Sequence, residues 1–316
     1  MHVELFPKIC KAVTAMSECC TDSGTSVAKS EVYNETWLLR MVLACIHDYK
    51  GDFVTGDAKI KKVLEEIRKV VSKRWISEGG LEPAFENEGT TWTDAILGDV
   101  RLRGESADDD EEMGTDGNKR KVELTDIPTK EPGVVIVEAK MGSPLDKSVT
   151  NSKDYDQFAR NIACLAKLLL KVDESVEAAY LKNSAVVVFM PHPVNCLKLL
   201  PELDDDQNER MRVMLEDRKV LAETFRADAV ETINKQVDER KDEKGKTIER
   251  RSYAFDEKKG DRFNKIVDTI GRNSKILTWD EIIGAMADEN ENKDKLKNFY
   301  IQALKEIVPK KKRRRQ

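Results

Sequence analysis

Apolar positions recur at helical spacing in several stretches of the chain and crowd into short runs in others. Trp37, Leu38, Met41, Val42, Cys45 and Ile46 follow one another three and four apart, predicting a helix over 33–50 with Asn34 as its N-cap. Ile60, Val63, Leu64, Ile67, Val70 and Val71 predict a second helix over 57–75, and a shorter one is expected over 6–16. The period then changes. Partial alternation and β-formers predict a strand over 93–102. Val134-Val135-Ile136-Val137 is the strongest strand signal and runs straight into Glu138-Ala139-Lys140. Phe158, Ile162, Leu165, Ala166 and Leu169 mark a helix over 155–171. Ala185–Met190 reads as a second buried strand, closed by Pro191 and Pro193. Residues 274–279 predict a last strand, followed by helices over 280–287 and 294–308.

Strands interleaved with helices imply an α/β fold, a mixed central sheet covered by helices on both faces. One domain spanning 1–316 is expected. Within it, 104–132 reads as an acidic loop or distorted hairpin extension. Residues 203–271 read as a charged, mostly helical insertion, and 309–316 as a disordered basic tail.

Composition narrows the function classes. Charged residues make up 36% of the 316, above the roughly 25% of an average protein, so long solvated helices are expected. No apolar run approaches the roughly 20 residues of a membrane span. The N-terminus offers no basic and apolar leader, which argues against secretion. The six cysteines show no CxxC spacing, and Cys45 and Cys164, inside helical apolar patterns, read as buried thiols of a reducing compartment. Three histidines make His-rich zinc catalysis a poor fit. A cytoplasmic protein is expected, or a nuclear one if the source is eukaryotic and the basic tail is a localisation signal. Net charge is −5, but it is uneven: six positive charges fill Lys310–Arg315, and six negative ones lie between Glu105 and Glu112.

The chemistry centres on Glu138 and Lys140. Side chains alternate along a strand, so these two share a face at the polar end of an apolar strand, where unpaired charge is costly. Asp94 opens the preceding strand. If the two strands pair, Asp94 and Glu138 converge, and two such carboxylates repel unless a cation lies between them. Oxygen ligands suit Mg²⁺ or Mn²⁺. Asp99, on the opposite strand face, is the alternative to Asp94.

This arrangement resembles the PD-(D/E)xK nuclease superfamily, the restriction-endonuclease-like fold. The likeness is carried by Glu35 in Asn34-Glu35-Thr36-Trp37, by Asp94, by the Glu138-Ala139-Lys140 element, by Gln157 in Asp156-Gln157-Phe158-Ala159-Arg160, and by Leu277–Ile282. Thr93 stands where the motif name has proline. The resemblance implies a metal-dependent nuclease in which Asp94, Glu138 and Glu35 hold the metal, with a ligand from the Ala139 carbonyl. Lys140 orients water and touches substrate, and Gln157 steadies Lys140 or the phosphate. Apart from the resemblance, Arg160, one turn beyond Gln157, is either a phosphate contact or an ordinary surface arginine, and Ser143 and Lys147 read as ordinary loop residues with substrate contact the lesser alternative. DNA is the expected substrate, with RNA open and a role in defence or DNA processing. Homodimers are common in this fold, and 203–271 would dock a protein partner. The alternative is a nucleic-acid-binding or scaffolding protein on the same fold. His192, flanked by prolines, reads as a surface histidine.

Overall fold

The structure, a computed structural model, describes residues 5–22, 33–104, 121–143, 145, 155–237, 240–241, 247–248, 252–287 and 291–309. In chain order the elements are α1 (Phe6–Asp22), α2 (Glu35–Asp48), α3 (Ala58–Val71), β1 (Trp75–Ser77), β2 (Gly80–Leu81), β3 (Thr91–Trp92), β4 (Ala95–Gly98), β5 (Val100–Leu102), β6 (Val122–Leu124), β7 (Val134–Ala139), α4 (Gln157–Leu169), α5 (Glu174–Lys182), β8 (Ala185–Met190), α6 (Asp205–Val237), β9 (Arg240–Lys241), β10 (Thr247–Ile248), α7 (Gly260–Asn273), β11 (Lys275–Thr278), α8 (Trp279–Gly284) and α9 (Glu291–Ile307). The expected Asn34 cap forms, accepting the Trp37 amide at 3.0 Å, and Thr278 with Glu281 also builds a capping box on α8. No helix among the described residues is long and apolar enough to cross a membrane.

Five strands form the main sheet in the order β1-β4-β7-β8-β11. β1, β4 and β7 are mutually antiparallel neighbours, whereas β7, β8 and β11 run parallel. The parallel steps need crossovers, supplied by α4 with α5 and by α6 with α7. β7 lies at the centre and is buried on both faces, which explains its unbroken apolar run. Val135, Val137 and Ala139 face one core with α2, α3 and α9. Val134 and Ile136 face the other with α4 and α7.

The segment 203–271, expected as an insertion, supplies much of that second layer. Phe263, Ile266, Val267 and Ile270 of α7 are fully buried against α4 and β8. Tyr253 and Phe255 fold back onto Phe263 and Phe85. The high charge of the segment concealed this stripe, because its apolar positions are few but all on one side of α7. The 33-residue α6 has no single apolar face: Met211 and Leu215 enter the first core, whereas Ala222, Ala229 and Ile233 enter the second. It therefore crosses from one layer to the other.

The strand expected over 93–102 is broken at Asp99. Gly98 takes a φ of +114°, β4 stays in the main sheet, and β5 turns away to pair with β6. The acidic segment is thus an extension between the arms of a hairpin, and its carboxylates at 105–112 lie outside the described residues, as do Lys147 and the tail 310–316. Asp99 anchors the break. Its carboxylate accepts the Thr129 and Gly133 amides, each at 2.9 Å, and pairs with Lys73 at 3.0 Å. Burial pushes this carboxyl up, but those donors outweigh it and leave it below its ordinary value. Asp99 is consequently a structural anchor, not the alternative metal ligand.

If α7 is part of the core, Phe263→Ala costs about 3–5 kcal/mol of stability, read from urea denaturation with coincident probes of the whole domain. A loss confined to a separate, weaker transition would mark the segment as an appendage.

Candidate active site at the end of the central strand

The pairing of β4 with β7 sets Ala95 opposite Val137, which brings Asp94 across from Glu138. Asp94 Oδ2 also accepts the Ala139 amide at 2.7 Å, tying the two strands beyond their ladder. Glu138 is 1% exposed and points toward α4. Gln157 and Asn161, four apart on one face of that helix, donate to its two oxygens. Gln157 Nε2 lies 2.9 Å from Oε2 and Asn161 Nδ2 2.8 Å from Oε1. Asp156 caps α4 through the Ala159 amide at 2.9 Å, which fixes the helix start and the aim of Gln157.

Lys140 lies on the same side as Glu138, its Nζ 3.7 Å from Oε2. Its backbone is pinned on both sides: the amide donates to the Phe189 carbonyl at 2.8 Å, and the carbonyl accepts Trp279 Nε1 at 3.1 Å. Glu35, in the first turn of α2, accepts the Met141 amide at 2.9 Å and the Ser143 hydroxyl at 3.4 Å.

Burial is the main cause that pushes the Glu138 carboxyl up, to about 8, and the Asp94 charge adds to it. Lys140 and the Asn161 amide oppose them. The Asp94 and Glu138 carboxyls are close enough to share a hydrogen bond. Glu35 is also raised, first by burial and partly by Asp94, against the Met141 amide and the Lys140 ammonium. Asp94, Glu138, Lys140 and Glu35 therefore act on one another electrostatically.

Among the described residues no group of three or more His, Cys, Asp or Glu converges as a metal cage. Asp94 and Glu138 make a two-carboxylate set, with Glu35 behind it on the backbone of Met141. Such a set fits Mg²⁺, which binds through one or two carboxylates and keeps several waters.

Arg160, expected at the substrate, instead donates from Nη2 to the Gly89 carbonyl at 2.6 Å. It braces the loop before β3. His192 Nδ1 accepts the Val194 and Asn195 amides, each at 3.2 Å, and caps the turn after β8. Asn161 was not singled out from the sequence; a fully buried amide four residues after Gln157 in an apolar stripe was the available signal. No family model, curated protein or solved structure matches the chain.

Asp94→Asn keeps an acceptor for the Ala139 amide and removes the charge facing Glu138, so the Glu138 carboxyl titrates lower, as read by carboxylate ¹³C NMR. The stability profile follows. The folded value lies above the unfolded one of roughly 4.3, so the contribution is complete below the unfolded value and is lost as pH rises through about 8. Asp94→Asn shifts the end of that loss to lower pH and reduces its size, measured by urea denaturation from about pH 4 to about pH 9.

Proposed function

We propose that this protein is a divalent-metal-dependent nuclease of the PD-(D/E)xK type that hydrolyses phosphodiester bonds in DNA. The observation that carries the reading is the facing of Asp94 and Glu138 across β4 and β7, with the Lys140 ammonium 3.7 Å from Glu138. The sheet gives further support. The strand that follows Asp94 pairs with the strand carrying Glu138, and the helix carrying Gln157 comes next, the order of motif residues noted for the resemblance from the sequence.

Asp94 and Glu138 would hold Mg²⁺ or Mn²⁺, with Glu35 acting through a metal-bound water. A cation held there would lower the pKa of bound water and offset charge developing on the phosphate. Glu138 serves this role as a carboxylate, and the Gln157 and Asn161 amides stabilise that charged form. Lys140 is fixed by its backbone and by Glu138, so its ammonium is pre-oriented toward an attacking water or a phosphate oxygen. Gln157 keeps the Glu138 oxygen nearest Lys140 in place.

The test is cleavage of linear, circular and single-stranded DNA with Mg²⁺, Mn²⁺ or EDTA. Lys140→Ala and Glu138→Ala are expected to lower the rate by about 10²–10⁴, and EDTA to abolish it. At subsaturating Mg²⁺ the wild-type rate rises as pH approaches about 8, because the cation displaces the proton held by Glu138. Folded wild type that binds DNA and cuts none of the three substrates would favour a binding or scaffolding protein.

A further inference from the structure

Two backbone bonds fix the direction of the peptide groups in β1. Gly98 donates its amide to the Arg74 carbonyl at 2.9 Å, and Glu78 donates its own to the Asp94 carbonyl at 3.1 Å. Ile76 stands opposite Ile96, so residues 74, 76 and 78 bond toward β4. Trp75 and Ser77 then turn their N–H and C=O groups away from it. β1 ends the order of the five-stranded sheet, and among the described residues no strand lies beyond it. Both residues are only half-buried.

A cleft of about 640 Å³ runs beside this edge. Arg40 and His47 of α2 line one side, where Trp75 packs toward the first core. Leu102 of β5 lines the other, where Ile76 belongs to the second core. The lining carries Arg40, Lys73 and Arg74 against the carboxylate of Glu78. Even with Lys73 paired to Asp99, the two arginines outnumber Glu78.

We infer that β1 takes up an extended peptide of a partner protein as a sixth strand. Main-chain bonds to Trp75 and Ser77 supply affinity, and alternate side chains supply specificity. Successive side chains of a strand point to opposite faces. A partner that alternates acidic and apolar residues therefore meets Arg40 on one side and Leu102 on the other. A nucleic-acid strand offers its phosphate acceptors and leaves the two outward carbonyls unmet. A second copy presents a β1 that lies in the same kind of cleft, with α2 and β5 on either side of it.

The test uses the full chain and a short fluorescent peptide alternating glutamate and valine. Residues directly opposite across two strands share a face, so the glutamates, on the α2 side, are the ones whose amides bond to Trp75 and Ser77. N-methylation of the glutamates is expected to weaken binding about tenfold. N-methylation of the valines leaves it near that of the parent peptide. Hydrogen exchange slows at the Trp75 and Ser77 amides on binding, and Arg40→Gln weakens the complex without lowering the melting temperature. Equal binding of the two methylated peptides overturns the inference, because attraction of charge alone would treat them alike. Absence of saturable binding, unchanged exchange at Trp75 and Ser77, or full affinity in Arg40→Gln overturns it too. So does slowed exchange at those amides without peptide as the chain dimerises, which would give the edge to a second copy. None of these readouts involves cleavage, so they stand apart from the nuclease reading.

Discussion

A carboxylate buried at the end of the central strand is the constraint around which this molecule is arranged. Glu138 continues a run of four β-branched residues into a position with almost no contact with water. Charge there is tolerable only with donors in place, and the structure supplies them from three directions. The amides come from α4, an ammonium from the same strand, and a second carboxyl from β4 that can share a proton. Each supplier is itself held. Asp156 caps α4, the Ala139 amide ties Asp94, and the Lys140 backbone is bonded on either side. The surroundings of Glu138 pull both ways: burial and the Asp94 charge favour its neutral form, and Lys140 and the Asn161 amide favour the ionised one.

The same economy shapes the long charged helix. A helix with one apolar stripe would lie along one face of the sheet. α6 instead alternates its allegiance, giving Met211 and Leu215 to one layer and Ala222, Ala229 and Ile233 to the other. The stretch between them runs past the ends of the strands, and a polar residue there is neither core nor open surface. The charge that makes 203–271 look like an addition to the domain follows from this path, because a helix buried on only a few positions keeps its remaining circumference polar.

Much of the site was legible in the sequence because strand geometry is regular. Alternation alone put Glu138 and Lys140 on one side, and the pairing of two adjacent strands brought Asp94 to them. The start of α2 was legible too, since Asn34 is a good cap just ahead of an apolar stripe, whereas the caps at Asp156 and Thr278 were not singled out. What escaped depends on contacts far apart in the chain. Nothing local says that Arg160 reaches the Gly89 carbonyl and not the cleft, or that Asp99 binds Lys73, Thr129 and Gly133 and ends a strand early. The one-sided stripe of α7 was diluted by charge, and the three-residue β1 is too short to announce itself by period.

The indole of Trp279 holds the carbonyl of Lys140, and that bond has a consequence for how the protein comes into being. A chain emerging from the ribosome exposes Glu138, Lys140 and Gln157 long before Trp279 has been made. β8 would still lack β11 at its flank, and α6 its packed course between the layers. The side chains of the candidate site are therefore born early and aligned late. A nascent chain carries Glu138, Lys140 and Gln157 without their final geometry, which is reached only as the C-terminal strand and helices pack against the sheet.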